Sequence, residues 1–396
     1  MLLFATYGAV SLRLQERMLT TGYDLGIFEQ AVRSYAHGQL PVAELKGPGF
    51  PLLGDHFSPA LAILAPLYRI WPTPVTLLVA QAALLAVAVV PIAGFAQRVL
   101  GRRGGMVVAF GYGTSWGIAQ AVGFDFHEVA FAVPLLAFGL VALAEGRWRA
   151  AALWSLPLLT VKEDLGLTVS AIGCLMAWRG ARRLGAGLAV AGVLGSALEI
   201  LVVIPSFNPQ GRFTYWDKMP SSVAGTGMQH GLGDVLYQFT LGLITPETKA
   251  TVLVMLLAPT AFIALRSSLM WVCVPTLAWR LLSENPDYWG TNFHYSAVLM
   301  PMVFVAFVDG LRLWEERPRR HALIVAGVVA ALLLPKFPLG QLLHRDTWHT
   351  SPRVAQAHRI LKQIPDGATV AASNRLVPQL ADRTLVSVFG FHGSGL

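Results

Sequence analysis

The chain has 396 residues and a formal net charge of +8, but only 13% of it is charged and 55% is hydrophobic. A soluble domain carries about 25% charged residues, so this chain lacks the polar surface to coat a water-soluble globule, and its mean hydropathy of +0.56 agrees. Soluble enzymes are excluded, as are disordered, collagenous and disulfide-stapled chains.

Eleven apolar stretches are long enough, or nearly so, to cross a bilayer: 1–18, 75–97, 105–123, 128–145, 149–161, 165–178, 184–204, 251–265, 268–283, 295–313 and 321–335. They predict an all-α, polytopic transmembrane bundle of about eleven spans in the plasma membrane. The first stretch has no basic leader and no small-residue cleavage site, so it reads as a retained span, not a signal peptide. Its shortness leaves room for a start further upstream. After it, 19–74 forms a long outer loop in which Leu25, Phe28, Val32 and Tyr35 share one helical face, predicting a short amphipathic helix at the interface. Phe57–Ile70 is apolar but bounded by prolines, and reads as interfacial or re-entrant.

Arginine runs follow: Arg98, Arg102 and Arg103; Arg147 and Arg149; Arg179, Arg182 and Arg183; Arg266; and Arg312, Arg317, Arg319 and Arg320. With the N-terminus cytoplasmic, all of these loops fall inside and hold thirteen arginines against three acids, Glu145, Glu315 and Glu316. That is the positive-inside pattern and not a nucleic-acid surface. Residues 205–250 form a second outer loop. Residues 1–335 are thus the membrane domain, and 336–396 a short extracytoplasmic tail with a candidate strand at Thr369–Ala372. Cys174 and Cys273 lie in apolar segments without metal-binding spacing.

This orientation gathers the ionisable residues outside, in five clusters: Tyr23-Asp24 with Glu29; Gly54-Asp55-His56; Phe124-Asp125-Phe126-His127-Glu128; Lys162-Glu163-Asp164; and Asn292-Phe293-His294-Tyr295. Asp24 reads either as an N-terminal helix cap or as a general base. Lys162 reads either as half of a structural ion pair or as a partner for a lipid-linked phosphate. No phosphate-binding loop, dinucleotide glycine motif or nucleophile elbow is present, so any donor is reached from the membrane or the outside.

The motifs Y-D-L-G-I-F at 23–28, G-D-H-F-S-P at 54–59, F-D-F-H at 124–127, V-K-E-D at 161–164 and H-Y-S-A at 294–297 resemble those of a bacterial family of predicted membrane proteins. More distantly, their order is similar to that of the GT-C glycosyltransferases of the protein O-mannosyltransferase and aminoarabinose-transferase type. Asp24, Asp125 and Lys162 fall where those enzymes carry two outer acids and a lysine. The branch's Asp-Glu is Asp24-Leu25 here. The resemblance implies a GT-C-like fold and an inverting transfer from a polyprenyl-phosphate-linked sugar to an extracytoplasmic acceptor. In that reading Asp24 is the base, and Lys162, Arg212, Lys218 and His294 meet the donor phosphate. Asp55, His56, Asp125 and His127 hold a divalent cation or position the phosphate, and Glu29, Glu163, Asp164 and Tyr295 support them. The alternatives are a transporter or flippase of a lipid-linked or anionic solute, and a non-catalytic scaffold.

Overall fold

A computed structural model describes residues 1–220 and 232–389. Each of the eleven apolar stretches contains helix. The reason is general: a segment surrounded by lipid must satisfy its own backbone N–H and C=O groups. By length and composition, three stretches among the described residues suffice to cross a membrane: Pro74–Gly113, Arg182–Phe207 and Glu316–Lys336. Shorter apolar helices accompany them, among them Val129–Ala144, Leu165–Trp178 and Leu299–Leu311.

The order begins with α1 (Leu2–Glu16), a π-type turn at Gly22–Gly26, α2 (Ile27–Ala36) and α3 (Ala65–Ile70), and continues with α4 (Pro74–Val87) and α5 (Val89–Gly113). Gly101 interrupts α5 at φ 75°, a conformation a side chain would resist. The chain reverses there, for a Cβ on Gly105 would lie 3.2 Å from the carbonyl oxygen of Ala93. Then come α6 (Trp116–Gly123), α7 (Val129–Ala144), α8 (Trp148–Ser155), α9 (Leu165–Trp178) and α10 (Arg182–Leu198). Helices α9 and α10 approach to backbone contact: a Cβ on Gly173 would sit 2.4 Å from the amide nitrogen of Ala189. Small residues permit this pairing, which gains dispersion contact where no hydrophobic drive acts between helices in lipid.

Helix α7 and the later helix Leu299–Leu311 are buried along nearly their whole lengths and form the centre of the bundle. The arginine turns meet at one end of it. Arg98 and Arg147 both pair with Glu145, Arg312 donates to the carbonyl of Ala144, and Arg179 lies 3.5 Å from Asp309. Because Glu145 follows the last residue of α7 and Glu128 precedes its first, these arginines stand about 24 Å from the 124–128 turn, at 1.5 Å per helical residue.

The tail is not detached from the bundle. Strands β1 (Thr369–Ala372) and β2 (Leu385–Val388) pair in parallel, and the segment between them packs over α2. Gln30 and Arg33 of α2 donate to the carbonyls of Val386 and Ala381. The amphipathic helix expected at the interface is therefore largely covered by protein, with Phe28, Ala31 and Val32 buried. It is α3 and the turns before it that present apolar side chains outward, Ile63 and Ile70 among them.

Candidate active site

The Gly22–Gly26 turn carries Asp24, and both of its glycines pack closely against later segments. A Cβ on Gly22 would lie 2.7 Å from Val377, and one on Gly26 would lie 2.8 Å from Leu45. The widened turn does not use Asp24 as a cap, since neither it nor α2 has a side-chain cap hydrogen bond. The carboxylate instead faces His127, whose Nε2 lies 3.1 Å from Asp24 Oδ1. With the carboxylate accepting, His127 carries its proton on Nε2.

Asp125 lies behind this turn and does not line the cavity, contrary to expectation. Its carboxylate accepts from the backbone N–H and the hydroxyl of Thr21 at 3.0 and 2.6 Å. Phe-Asp-Phe-His-Glu is a tight turn with Asp125 at φ 46°, so neighbouring side chains leave it in different directions. Burial, with Asp24 nearby, pushes the Asp125 carboxyl up to about 7, against the opposing hydrogen bond from Thr21. Gln81 on α4 fixes the turn, donating to the carbonyl of Asp125 at 2.5 Å and accepting from His127 N–H at 3.0 Å.

His127 packs nearly parallel to two neighbouring rings. It stacks on Phe124 at 5.3 Å and on His294 at 3.5 Å between centroids. The Nδ1 atoms of both histidines are buried without a hydrogen-bond partner. Burial, then His127 and Lys162, hold His294 well below the usual imidazole range, so His294 is a neutral ring in the stack.

The Lys162-Glu163-Asp164 cluster fans out to three partners. Lys162 forms an ion pair with Glu128 at 3.0 Å. Burial disfavours the ammonium, but Glu128, Asp164 and Glu163 outweigh it and hold Lys162 above its ordinary range. Glu163 meets His56 Nδ1 at 2.7 Å and accepts from Phe57 N–H. Asp164 accepts from Trp279 Nε1 at 2.9 Å, and burial pushes its carboxyl up to about 6 despite Lys162. Asp55 pairs with Lys46 at 2.6 Å and accepts from the Tyr215 hydroxyl at 3.3 Å. Lys218 lies over the rings of Tyr215 and Tyr288, at 4.5 and 5.8 Å.

These groups surround one cavity of about 700 Å³, lined by Asp24, Asp55, His56, His127, Lys162, Glu163, Asp164, Lys218, His294 and Tyr295 from the expected set. Leu167, Ile200, Pro275, Ala278 and Leu282 supply an apolar wall. Arg212 lies outside this lining, because Asp217 five residues away engages it at 2.6 Å on the exposed loop. Glu29 also lies outside, fully buried and accepting from the Tyr68 hydroxyl at 3.0 Å. Lys46, Tyr215, Trp279 and Tyr288 line the cavity without having been singled out in the sequence. Glu128, one residue beyond F-D-F-H, takes the ion-pair role that had no assigned acid. Among the described residues, no three His, Cys, Asp or Glu side chains group to hold a metal ion. Asp55, His56, Asp125 and His127 are each turned to a different partner.

Residues 14–395 match the family described as Predicted membrane protein (DUF2079), and the chain belongs to that family. No curated protein matches it. Among solved structures it is similar to ArnT from Cupriavidus metallidurans bound to undecaprenyl phosphate, at a TM-score of 0.55 and 15% identity over 98% of this chain and 86% of that one. The chain is therefore a membrane protein with an ArnT-like, GT-C helical fold.

Proposed function

We propose that this protein is a membrane glycosyltransferase that moves a sugar from a polyprenyl-phosphate donor to an extracytoplasmic acceptor. One observation carries the reading: Asp24 and Lys162 face a single cavity of about 700 Å³ with an apolar wall, at the end of α7 remote from the arginine turns. The ArnT structure, which binds undecaprenyl phosphate, supports a lipid-phosphate donor. The arginine distribution supports a cytoplasmic N-terminus and a cavity open to the outside.

In this mechanism Asp24 accepts the proton of an acceptor hydroxyl as that oxygen attacks the anomeric carbon. The bond from that carbon to the phosphate oxygen breaks, and its electron pair leaves on the polyprenyl phosphate with inversion. His127 donates to Asp24 Oδ1; the Thr21 hydroxyl, 3.4 Å from Asp24 Oδ2, gives its proton to Asp125 at 2.6 Å, which leaves Oδ2 for the acceptor. Lys162 and Lys218 balance the leaving phosphate. Lys218 is suited to this because, among the described residues, it rests on tyrosine rings and forms no ion pair. Burial holds its ammonium below the ordinary range, though Asp55 opposes the shift. An incoming phosphate would favour the charged form. No step is routed through a metal, since the four residues considered for one have separate partners.

The test is Asp24→Asn, assayed for transfer from undecaprenyl-phosphate sugars in liposomes. The amide keeps the size and the acceptor oxygen for His127, but takes no proton at neutral pH. Turnover should fall by about 100- to 10,000-fold, with the folded state and lipid-phosphate binding retained. Wild-type turnover in this variant, or donor movement across the bilayer without glycoside formation, would overturn the proposal.

A further inference from the structure

The C-terminal segment bonds to the turn that carries Asp24, and the contacts concentrate on one residue. Asn374 Oδ1 accepts from the backbone N–H of Gly22 at 2.8 Å and of Tyr23 at 3.0 Å, and the Asn374 carbonyl accepts from Gly22 as well. Gln15 donates to the carbonyl of Pro378, Gln379 to that of Gln15, and Arg375 to that of Leu19. Val377, fully buried, fills the space that a side chain on Gly22 would need. From the other side, Asp125 holds Thr21. The backbone from Thr21 to Tyr23 is therefore fixed from both sides, by groups more than 100 residues away along the chain in each case.

We infer that the tail is a clamp for the proposed catalytic turn and that Asn374 is a positioning residue for Asp24. The first N–H groups of a helical turn have no intrahelical partner and need an external acceptor. Here the acceptor comes from residue 374, so the direction of Asp24 depends on the tail being docked. The inference rests on the function proposed above only for its catalytic consequence; the clamp itself is a statement about the turn.

Two variants separate the acceptor from the fold. Asn374→Leu removes the side-chain acceptor at similar volume, and Asn374→Asp keeps an oxygen for both N–H groups. In the full-length protein in detergent, hydrogen exchange over residues 20–26 should rise at least about tenfold in Asn374→Leu and stay near wild type in Asn374→Asp. Exchange in 129–144 should stay unchanged in both variants. In transfer assays Asn374→Leu should lower kcat by about 100-fold, the scale of an ångström of misplacement, leave the KM for donor unchanged, and be rescued by Asn374→Asp. Unchanged exchange over 20–26 in Asn374→Leu, or an equal rise in both variants, would overturn the clamp. If wild-type protein transfers no sugar, the glycosyltransferase reading fails, and the exchange result alone decides whether the tail fixes the turn.

Discussion

Lys162 has two claims on it, and one pair of variants tells them apart. Its side chain is 13% exposed and that of Glu128, 3.0 Å away, is 1% exposed. The Glu128 carboxylate faces the Lys162 ammonium inside the protein. Lys162→Met keeps most of the stem and leaves that carboxylate without its ammonium. Breaking one side of a buried pair costs about 3–5 kcal/mol, part of which Glu128 escapes by taking up a proton. Adding Glu128→Gln removes the second charge, and neutral replacement of a whole buried pair is often free of net cost. The double variant should therefore regain most of the thermal stability in detergent that the single variant loses. Lipid-phosphate binding should not return with it. A hydrogen bond to a charged group contributes about 1.5–3 kcal/mol, so affinity for undecaprenyl phosphate should stay about 10- to 150-fold below wild type. Affinity for undecaprenol, which lacks the phosphate, should be unaffected. If the double variant recovers stability and binds undecaprenyl phosphate like wild type, Lys162 serves only as the partner of Glu128.

His127→Phe keeps the stack on Phe124 and His294 but removes the donor to Asp24. Turnover should drop by about 10- to 100-fold with lipid-phosphate affinity intact, and unchanged kcat would remove His127 from the orientation of the base. For Asp125, raised to about 7, the folded chain holds a proton that the unfolded chain has lost between about pH 4 and 7. The contribution of this group is therefore present at low pH and lost as pH rises through that window. Against Asp125→Asn, which can still accept from Thr21, the wild type should lose thermal stability progressively over that range; a difference that does not vary with pH would count against the buried carboxyl. Cysteines at Arg102 and Gln210, both exposed, should label from opposite sides with an impermeant thiol reagent once Cys174 is replaced by Ser. Labelling of the position-102 cysteine from outside would reverse the orientation.

The helices were legible because lipid leaves the backbone no other choice, and the ends of the bundle because arginine and carboxylate segregate along the chain. Breaks inside the helical stretches were not legible. Leu156–Thr160 and Ser268–Cys273 wind as 3-10 turns, and an apolar run reads alike at either pitch. In the site, Asp24, His127 and Lys162 stood out because an ionisable group beside a span is costly unless it has a use. Lys46, Tyr215 and Trp279 sit in ordinary surroundings and acquire meaning only through partners such as Asp55 and Asp164, reached when distant segments meet. Arg212 had a visible counter-signal in Asp217, close enough for a local pair. Asp125 was legible only in part. That it would be buried and costly followed from its neighbours, but which way it pointed depended on a single backbone angle in the 124–128 turn. In that turn Asp125 meets Thr21 and His127 meets Asp24, so one short motif supplies both the support behind the turn that carries Asp24 and the partner in front of it.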